Sequence, residues 1–311
     1  ELLQHMHRLQ FEQEAILLKG ARPFGFEKIS ALLEQEIHQT VLSVNLSAVM
    51  HNLNVFRKHT AAGVKIMAMV KAFSYGSGSY EIAHMLQYAG VDYLGVAYTD
   101  EGVELRKAGI ILPVMVMSPD AGSFDRMITW KLEPEIFNFR SLEAFTRVAA
   151  SLQARQFPVH IKLDTGMHRL GFLPAEIERL IDTLRHNEQI RVASIFSHLA
   201  ASEEAGQDAF TRQQASVFRQ MSDKLIAALG YTPLRHLCNS AAIIRHADLH
   251  FDMVRPGLGL YGIDSSGVLV GQLQEAGILY TSIAQIKEIP AGDTIGYNRR
   301  GKAVTDMRIA V

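Results

Sequence analysis

Ile66-Met67-Ala68-Met69-Val70-Lys71-Ala72-Phe73-Ser74-Tyr75-Gly76-Ser77-Gly78 runs from five apolar residues straight into a lysine and a glycine-containing turn. A short, continuous apolar run bounded by turn residues reads as a strand buried on both faces. The turn lacks the Gly-x-Gly-x-x-Gly that a dinucleotide-binding open sheet carries there. The same pattern of apolar strand, loop and amphipathic helix then repeats. Strands are predicted at Tyr93–Ala97, Val114–Met117, Ile136–Phe139, Val159–Leu163, Val192–Phe196, Arg235–Cys238 and Phe251–Val254, which makes eight with the first. Helix starts are predicted at Ser79, Thr99-Asp100, Ser141 and Pro174, and stops at Gly90, Gly109 and Gly230. Eight such units predict an α/β fold, a (β/α)8 TIM-type barrel over residues 41–264, with a doubly wound open sheet as the alternative.

The flanks read differently. Residues 1–40 hold one apolar run, Ala15-Ile16-Leu17-Leu18, a turn at Lys19-Gly20-Ala21-Arg22-Pro23, and apolar residues at helical spacing from Phe26 to Ile37. One strand and one helix bury no core of their own, so this segment is expected to be a linker or the end of an upstream domain. After Tyr261-Gly262 the helical pattern stops. Ile278–Ile289 alternates, Ala291-Gly292-Asp293 reads as a turn, and Ala303–Val311 reads as a strand. Residues 265–311 are therefore expected to begin a C-terminal β domain, incomplete at Val311, with Ile309-Ala310-Val311 left as an unpaired edge.

Composition limits the partners. Lys plus Arg is 31 and Asp plus Glu 32, a net charge of −1, which gives no global field for nucleic acid or an anionic membrane. Hydrophobic content of 48% suits a packed globular chain. No run reaches the ~18 apolar residues that span a bilayer. Cys238 is the one cysteine, so no intramolecular disulfide forms, and a cytoplasmic location is expected.

In a barrel of this kind chemistry collects at the C-terminal ends of the strands. Lys71 follows the first strand directly; its amine would enter the barrel mouth, where desolvation makes a lysine nucleophilic. The plainer reading is a lysine snorkelling from a strand end. Tyr75-Gly76-Ser77-Gly78 offers small residues whose backbone N–H groups can approach a phosphate. After the fifth strand, Lys162 and Asp164 share a side by strand period and would face the interior. A buried lysine needs a counter-charge, and Arg169 carries a fork suited to a carboxylate. His198 ends the sixth strand. Ser240 follows the seventh, and Arg255-Pro256-Gly257-Leu258 the eighth, where such barrels commonly hold phosphate. Cys238 reads as a packing thiol. None of the thirteen histidines falls in a metal-ligand spacing with a strand-end acid, so no metal is expected.

Together these motifs resemble the alanine racemase family: Val70-Lys71-Ala72 with Tyr75-Gly76, Lys162-Leu163-Asp164-Thr165-Gly166-Met167 with Arg169-Leu170-Gly171-Phe172, Asn239-Ser240-Ala241, and Val254-Arg255-Pro256-Gly257. The resemblance runs from about Val41 to Val311. It implies a pyridoxal 5'-phosphate enzyme that interconverts L-alanine and D-alanine by a two-base mechanism and supplies D-alanine for peptidoglycan. It implies that Lys71 holds the cofactor and is the base on one face of the substrate. Tyr297, from the partner of a homodimer, would be the base on the other. Tyr75, Ser240, Gly257 and Leu258 would hold the phosphate. Arg255 would face the pyridine nitrogen, His198 would bond Arg255, and Arg169 would bind near the substrate carboxylate. Lys162 matches a lysine often carbamylated in the family. Leu17-Leu18-Lys19-Gly20-Ala21-Arg22 with Phe26-Glu27 resembles the end of the ligase that adds D-alanyl-D-alanine to the UDP-muramoyl tripeptide, which implies a ligase–racemase fusion.

The sequence departs from the family at Phe73-Ser74, Ser77 and His168, and the family's later Gly-Tyr-Ala-Asp-Gly segment is absent. Two other readings use the same residues: a pyridoxal phosphate-binding barrel without turnover, and a non-catalytic part of the fusion.

Overall fold

The computed structural model describes residues 40–311 apart from Ser79 and His186. The reading of residues 1–40 as a linker and ligase end lies outside the described residues but for Thr40, and the helix start at Ser79 lies outside them as well. The described chain divides into two compact units, Ser43–Ile278 and Leu279–Val311, with residues 40–42 belonging to the second.

The larger unit is a closed, all-parallel, eight-stranded barrel. A short strand, β1 (Val41–Val44), precedes it. The barrel strands are β2 (Lys65–Met69), β3 (Tyr93–Val96), β4 (Val114–Val116), β5 (Glu133–Ile136), β6 (Phe157–Lys162), β7 (Ile190–Phe196), β8 (Leu234–His236) and β9 (Met253–Val254). They pair in sequence order, and β9 closes on β2 with Met253 opposite Lys65. The expected barrel is therefore found and the open sheet excluded.

All eight predicted strands overlap the observed ones, but the fourth only at Ile136, and its shift corrects the sequence reading. β5 is Glu133-Pro134-Glu135-Ile136, three residues before the expected start, and Phe139 opens the next helix. Two acids and a proline in a central strand break every strand preference. All four are nevertheless buried, because the acids face inward to partners on β6.

Helices α1 (Leu46–His59), α2 (Tyr80–Tyr88), α3 (Thr99–Lys107), α4 (Phe124–Thr129), α5 (Phe139–Ser151), α6 (Ile177–Arg185), α7 (Asp208–Leu229) and α8 (Ser240–Arg245) accompany the strands. Most carry an apolar face to the barrel: on α6, Ile177, Leu180, Ile181 and Leu184 are the buried residues, three and four apart. Pro174 opens the turn before α6, and Gly230 ends α7 at φ +72°. The start of α5 is Asn138 rather than Ser141; its side chain accepts from the Ser141 N–H at 2.8 Å, and Ser141 completes a capping box. Asn52 of α1 donates to the carbonyls of Leu260 and Gln274 at 3.0 and 2.8 Å and accepts from Gln274 N–H. That clamp ties the chain leaving β9 to the first helix of the unit.

The barrel interior has two halves. Met67, Met69, Met115, Phe196 and Met253 form an apolar cluster of their own. Gly95 adjoins it because a Cβ there would lie 2.6 Å from Met69 Cε. The remaining wall, on β5 to β8, is polar: Glu133, Glu135, His160, Lys162, Ser194 and His236 are all buried. Buried polar groups persist only when paired.

The smaller unit is built from antiparallel ribbons. β10 (Gly277–Tyr280) enters it. β11 (Ile286–Ile289) pairs with β14 (Met307–Ala310), and β12 (Thr294–Ile295) with β13 (Gly301–Lys302). Ile309 faces Lys287 across the first ribbon, so the expected unpaired edge at Ile309 has a partner. Among the described residues no helix is long and apolar enough to cross a membrane.

Candidate active site

A cavity of about 220 Å³ opens where the barrel strands end. It gathers Lys71 and Tyr75 from the turn after β2, His198 after β7, Ser240 at the start of α8, and Arg255, Gly257 and Leu258 after β9. Seven of the residues expected from sequence thus share one space. Met69, Met117, Asn239, Ala241 and Ser265 complete its wall.

The turn that carries Lys71 has an unusual backbone. Ala72, Phe73, Ser74 and Tyr75 all take left-handed φ, between 50 and 57°, and Gly76 continues at φ +87°. Four consecutive non-glycine residues there cost conformational energy. The fixings are visible. Ser74 N–H donates to Val70 C=O at 2.9 Å, Gly76 N–H donates to Ala72 C=O at 2.8 Å, and Ala72 N–H donates to Glu101 Oε1 at 2.7 Å. Glu101 Oε2 accepts from the Ala97 and Tyr98 N–H groups, so one carboxylate locks the β2 and β3 loops together. The result brings the Lys71 ammonium within 5.8 Å of the Tyr75 ring centroid. Burial depresses the Lys71 pKa, and the nearby cations Arg169, Lys162 and Arg255 depress it further. Burial pushes the Tyr75 phenol up to about 12, so it stays protonated.

Across the cavity, Ser240 Oγ accepts from Gly257 N–H at 2.8 Å. Asn239 caps α8 through Ala242 N–H at 3.0 Å and fixes Ser240 at the first helical position. A Cβ on Gly257 would sit 2.8 Å from Tyr75 Oη. Hydroxyls and backbone therefore converge around a position that a side chain would fill. This is the donor set a phosphate monoester needs.

Arg255 lies at the head of a buried polar chain. Its Nη1 donates to His236 Nδ1 at 2.7 Å. His236 Nε2 is 2.7 Å from Ser194 Oγ, which is 2.6 Å from His160 Nδ1; His160 Nε2 is 2.8 Å from Glu133 Oε2. A guanidinium only donates, so His236 Nδ1 must accept and its proton sits on Nε2. The same logic hands each donor onward until Glu133 accepts the last one. Burial lowers the Arg255 pKa to about 10, which leaves it charged at neutral pH. Burial, then Arg255, lowers His198 to about 3 and keeps that imidazole neutral. The expected His198–Arg255 contact is long, 3.5 Å; Arg255 Nη2 bonds the Ser197 carbonyl more closely, at 2.8 Å.

Lys162 is buried at the end of β6, outside the cavity wall, and its counter-charge is Glu135 on β5 at 3.0 Å. Asp164, expected to face the interior beside it, instead organises the loop after β6. Its Oδ1 accepts from Gly166 and His168 N–H groups at 3.0 and 3.1 Å. Gly171, at φ +133°, returns the loop so that Asp164 N–H reaches Phe172 C=O at 2.9 Å. Arg169 sits exposed in this loop, outside the cavity wall. Tyr297 belongs to the smaller unit and is 99% exposed, on a turn whose next two residues, Asn298 and Arg299, have φ of 55°. Cys238 is buried, its thiol pushed up to about 12, in keeping with a packing role.

Sequence reasoning missed Glu101, Glu133, Glu135, Ser194 and His236. The signal for two of them was available: acids at 133 and 135 match the basic residues at 160 and 162, the same spacing of two on neighbouring strands.

Comparison with known proteins gives one answer. The family profile "Alanine racemase, N-terminal domain" matches residues 44–265. The chain is 33% identical over 276 residues to the alanine racemase of Synechocystis sp., covering 87% of this chain and 73% of that protein. It is 34% identical over 273 residues to alanine racemase 1 of Oceanobacillus iheyensis, covering 86% and 72%. Among solved structures, alanine racemase from Clostridium difficile 630 superposes with a TM-score of 0.78 at 33% identity, covering 88% of this chain and 72% of that one. Alanine racemase from Bartonella henselae with covalently bound pyridoxal phosphate gives 0.77 at 26% identity, covering 88% and 74%.

Proposed function

Since the chain belongs to the alanine racemase family, we propose that it interconverts L-alanine and D-alanine with pyridoxal 5'-phosphate, using Lys71 and Tyr297 as the two bases. One observation carries this reading: a lysine of depressed pKa shares a single cavity with a hydroxyl-and-backbone anion cradle and a buried arginine. The residues fit the cofactor. Lys71 supplies the amine, Tyr75, Ser240 and the Gly257–Leu258 backbone the phosphate contacts, and Arg255 a fixed donor toward the pyridine nitrogen.

When bound, the cofactor supplies the electron sink that makes the substrate Cα–H acidic. The chain's own groups do the rest. Lys71, easily deprotonated because it is desolvated among cations, holds or takes a proton on one face. Inversion needs a second group on the opposite face. The exposed Tyr297 phenol is assigned that role from the partner subunit of a homodimer. Arg255 donates a hydrogen bond but does not release its proton near neutrality, so the nitrogen it faces stays unprotonated and accepts. Arg169, in the loop braced by Asp164 and Gly171, is assigned to the substrate carboxylate. The reading extends to D-alanine supply for peptidoglycan, to a cytoplasmic location, and to residues 1–40 as the end of a Mur-type ligase fused upstream.

Pure L-alanine incubated with the protein and pyridoxal phosphate should yield D-alanine, read by a D-amino-acid oxidase assay. No D-alanine at any protein concentration would overturn the assignment in favour of a binding protein without turnover.

A further inference from the structure

Glu135 is a carboxylate in a place where nothing but a strong partner could keep it. It is fully buried on β5, and Lys162, 5% exposed on β6, is 3.0 Å away. Neither Glu135 oxygen makes a well-angled hydrogen bond among the described residues, so the contact is one of charge. Around it the site is cationic. Lys162 Nζ and the Arg255 guanidinium each lie 5.4 Å from the centroid of the same Phe196 ring. The other buried inward acid, Glu133, is already bonded to His160 at 2.8 Å. Glu135 is thus the carboxylate that balances this part of the interior.

Two arrangements could supply an anion here. One is carbamylation of Lys162, in which a neutral amine adds carbon dioxide: a new N–C bond forms, one C=O π bond breaks, and a proton leaves to give an N-carboxylate. The amine lone pair must be free, and the product is an anion. A carboxylate 3.0 Å away opposes both requirements, because it holds the proton on Nζ and would stand beside a like charge. The other arrangement is the one present: a carboxylate encoded in the sequence.

We propose that Glu135 is a positioning residue that keeps Lys162 an unmodified ammonium and itself provides the negative charge beside it in the barrel interior. Its field acts on Arg255 and Arg169, and without it the buried cations would lack a counter-charge. Burial lifts the Glu135 carboxyl to about 7 and depresses the Lys162 amine; the 3.0 Å contact opposes both shifts, and Arg255 and Arg169 add to the hold on the carboxylate. The effect on turnover rests on the proposed racemase reading; the chemical state of Lys162 does not.

The test is carbon-13 NMR of the protein in 13C-bicarbonate, with Lys162→Ala as the assignment control. The wild type should show no carbamate carbon that the control removes. Glu135→Ala should gain such a signal, and Glu135→Gln should lower kcat at least tenfold while leaving the KM for alanine within about threefold. Added bicarbonate should restore part of the kcat of Glu135→Ala. A Lys162 carbamate in the wild type would overturn the proposal, as would a Glu135→Gln variant with full kcat. Should Glu135→Ala fail to fold, the wild-type spectrum and the near-isosteric Glu135→Gln still decide. Absence of turnover in every variant, with the wild-type amine unmodified, would count against the racemase reading alone.

Discussion

Ser194 shows how much one small side chain carries. Its hydroxyl joins His160 to His236, and through them Glu133 to Arg255. Ser194→Ala leaves two buried imidazole nitrogens facing a methyl group. The expected cost is ~2–6 kcal/mol, at about 1–3 for each stranded group, measured by urea unfolding. A loss under half a kcal/mol would mean the relay is not continuous. His198 gives the pH counterpart. Its pKa falls from 6.5 to about 3 on folding. Between those values the unfolded chain binds a proton that the folded chain does not. Stability is therefore complete above about pH 6.5 and declines as pH falls toward 3. Thermal melts of the cofactor-free protein should show this decline, and His198→Asn should flatten it; equal slopes would refute the assignment.

At the scale of elements, the loop after β6 depends on glycine. At Gly171, with φ +133°, a Cβ would lie 2.5 Å from Asp164 N and 2.6 Å from Leu163 C. Both contacts are backbone, so neither can yield as a flexible side chain would. Gly171→Ala should cost ~1–3 kcal/mol and raise the KM for alanine, because it disturbs the base of the loop that carries Arg169. A normal Tm with an unchanged KM would contradict this. The same scale separates what the sequence revealed from what it hid. Strands such as Ile66–Val70 were legible because a strand buried on both faces has to be apolar, and their ends pointed to Lys71, Ser240 and Arg255. β5 was misplaced because its inward acids mimic a loop. Their meaning lies in His160 and Lys162 across the ladder, and pairing across strands is not a property of either segment alone. The left-handed turn at Ala72–Tyr75 was equally hidden, since no glycine marks it and Glu101, 29 residues away, fixes it.

For the whole molecule, the assignment of Tyr297 to the partner subunit makes two sites interdependent. Lys71→Ala and Tyr297→Phe should each be nearly inactive alone. Mixed and refolded together, half the dimers are heterodimers with one intact site of two, so roughly a quarter of wild-type activity should return. No recovery from dimers shown to have exchanged would place Tyr297 outside the reaction. The cavity lies within Ser43–Ile278 and the exposed Tyr297 phenol within Leu279–Val311.

The claim under all of this is that the Lys71 amine is the cofactor's attachment point. Borohydride reduction of the protein after incubation with pyridoxal phosphate, followed by peptide mass mapping, tests it directly. The account predicts one stoichiometric pyridoxyl adduct, on Lys71. Label on Lys162 or on surface lysines, with Lys71 unmodified, would contradict it.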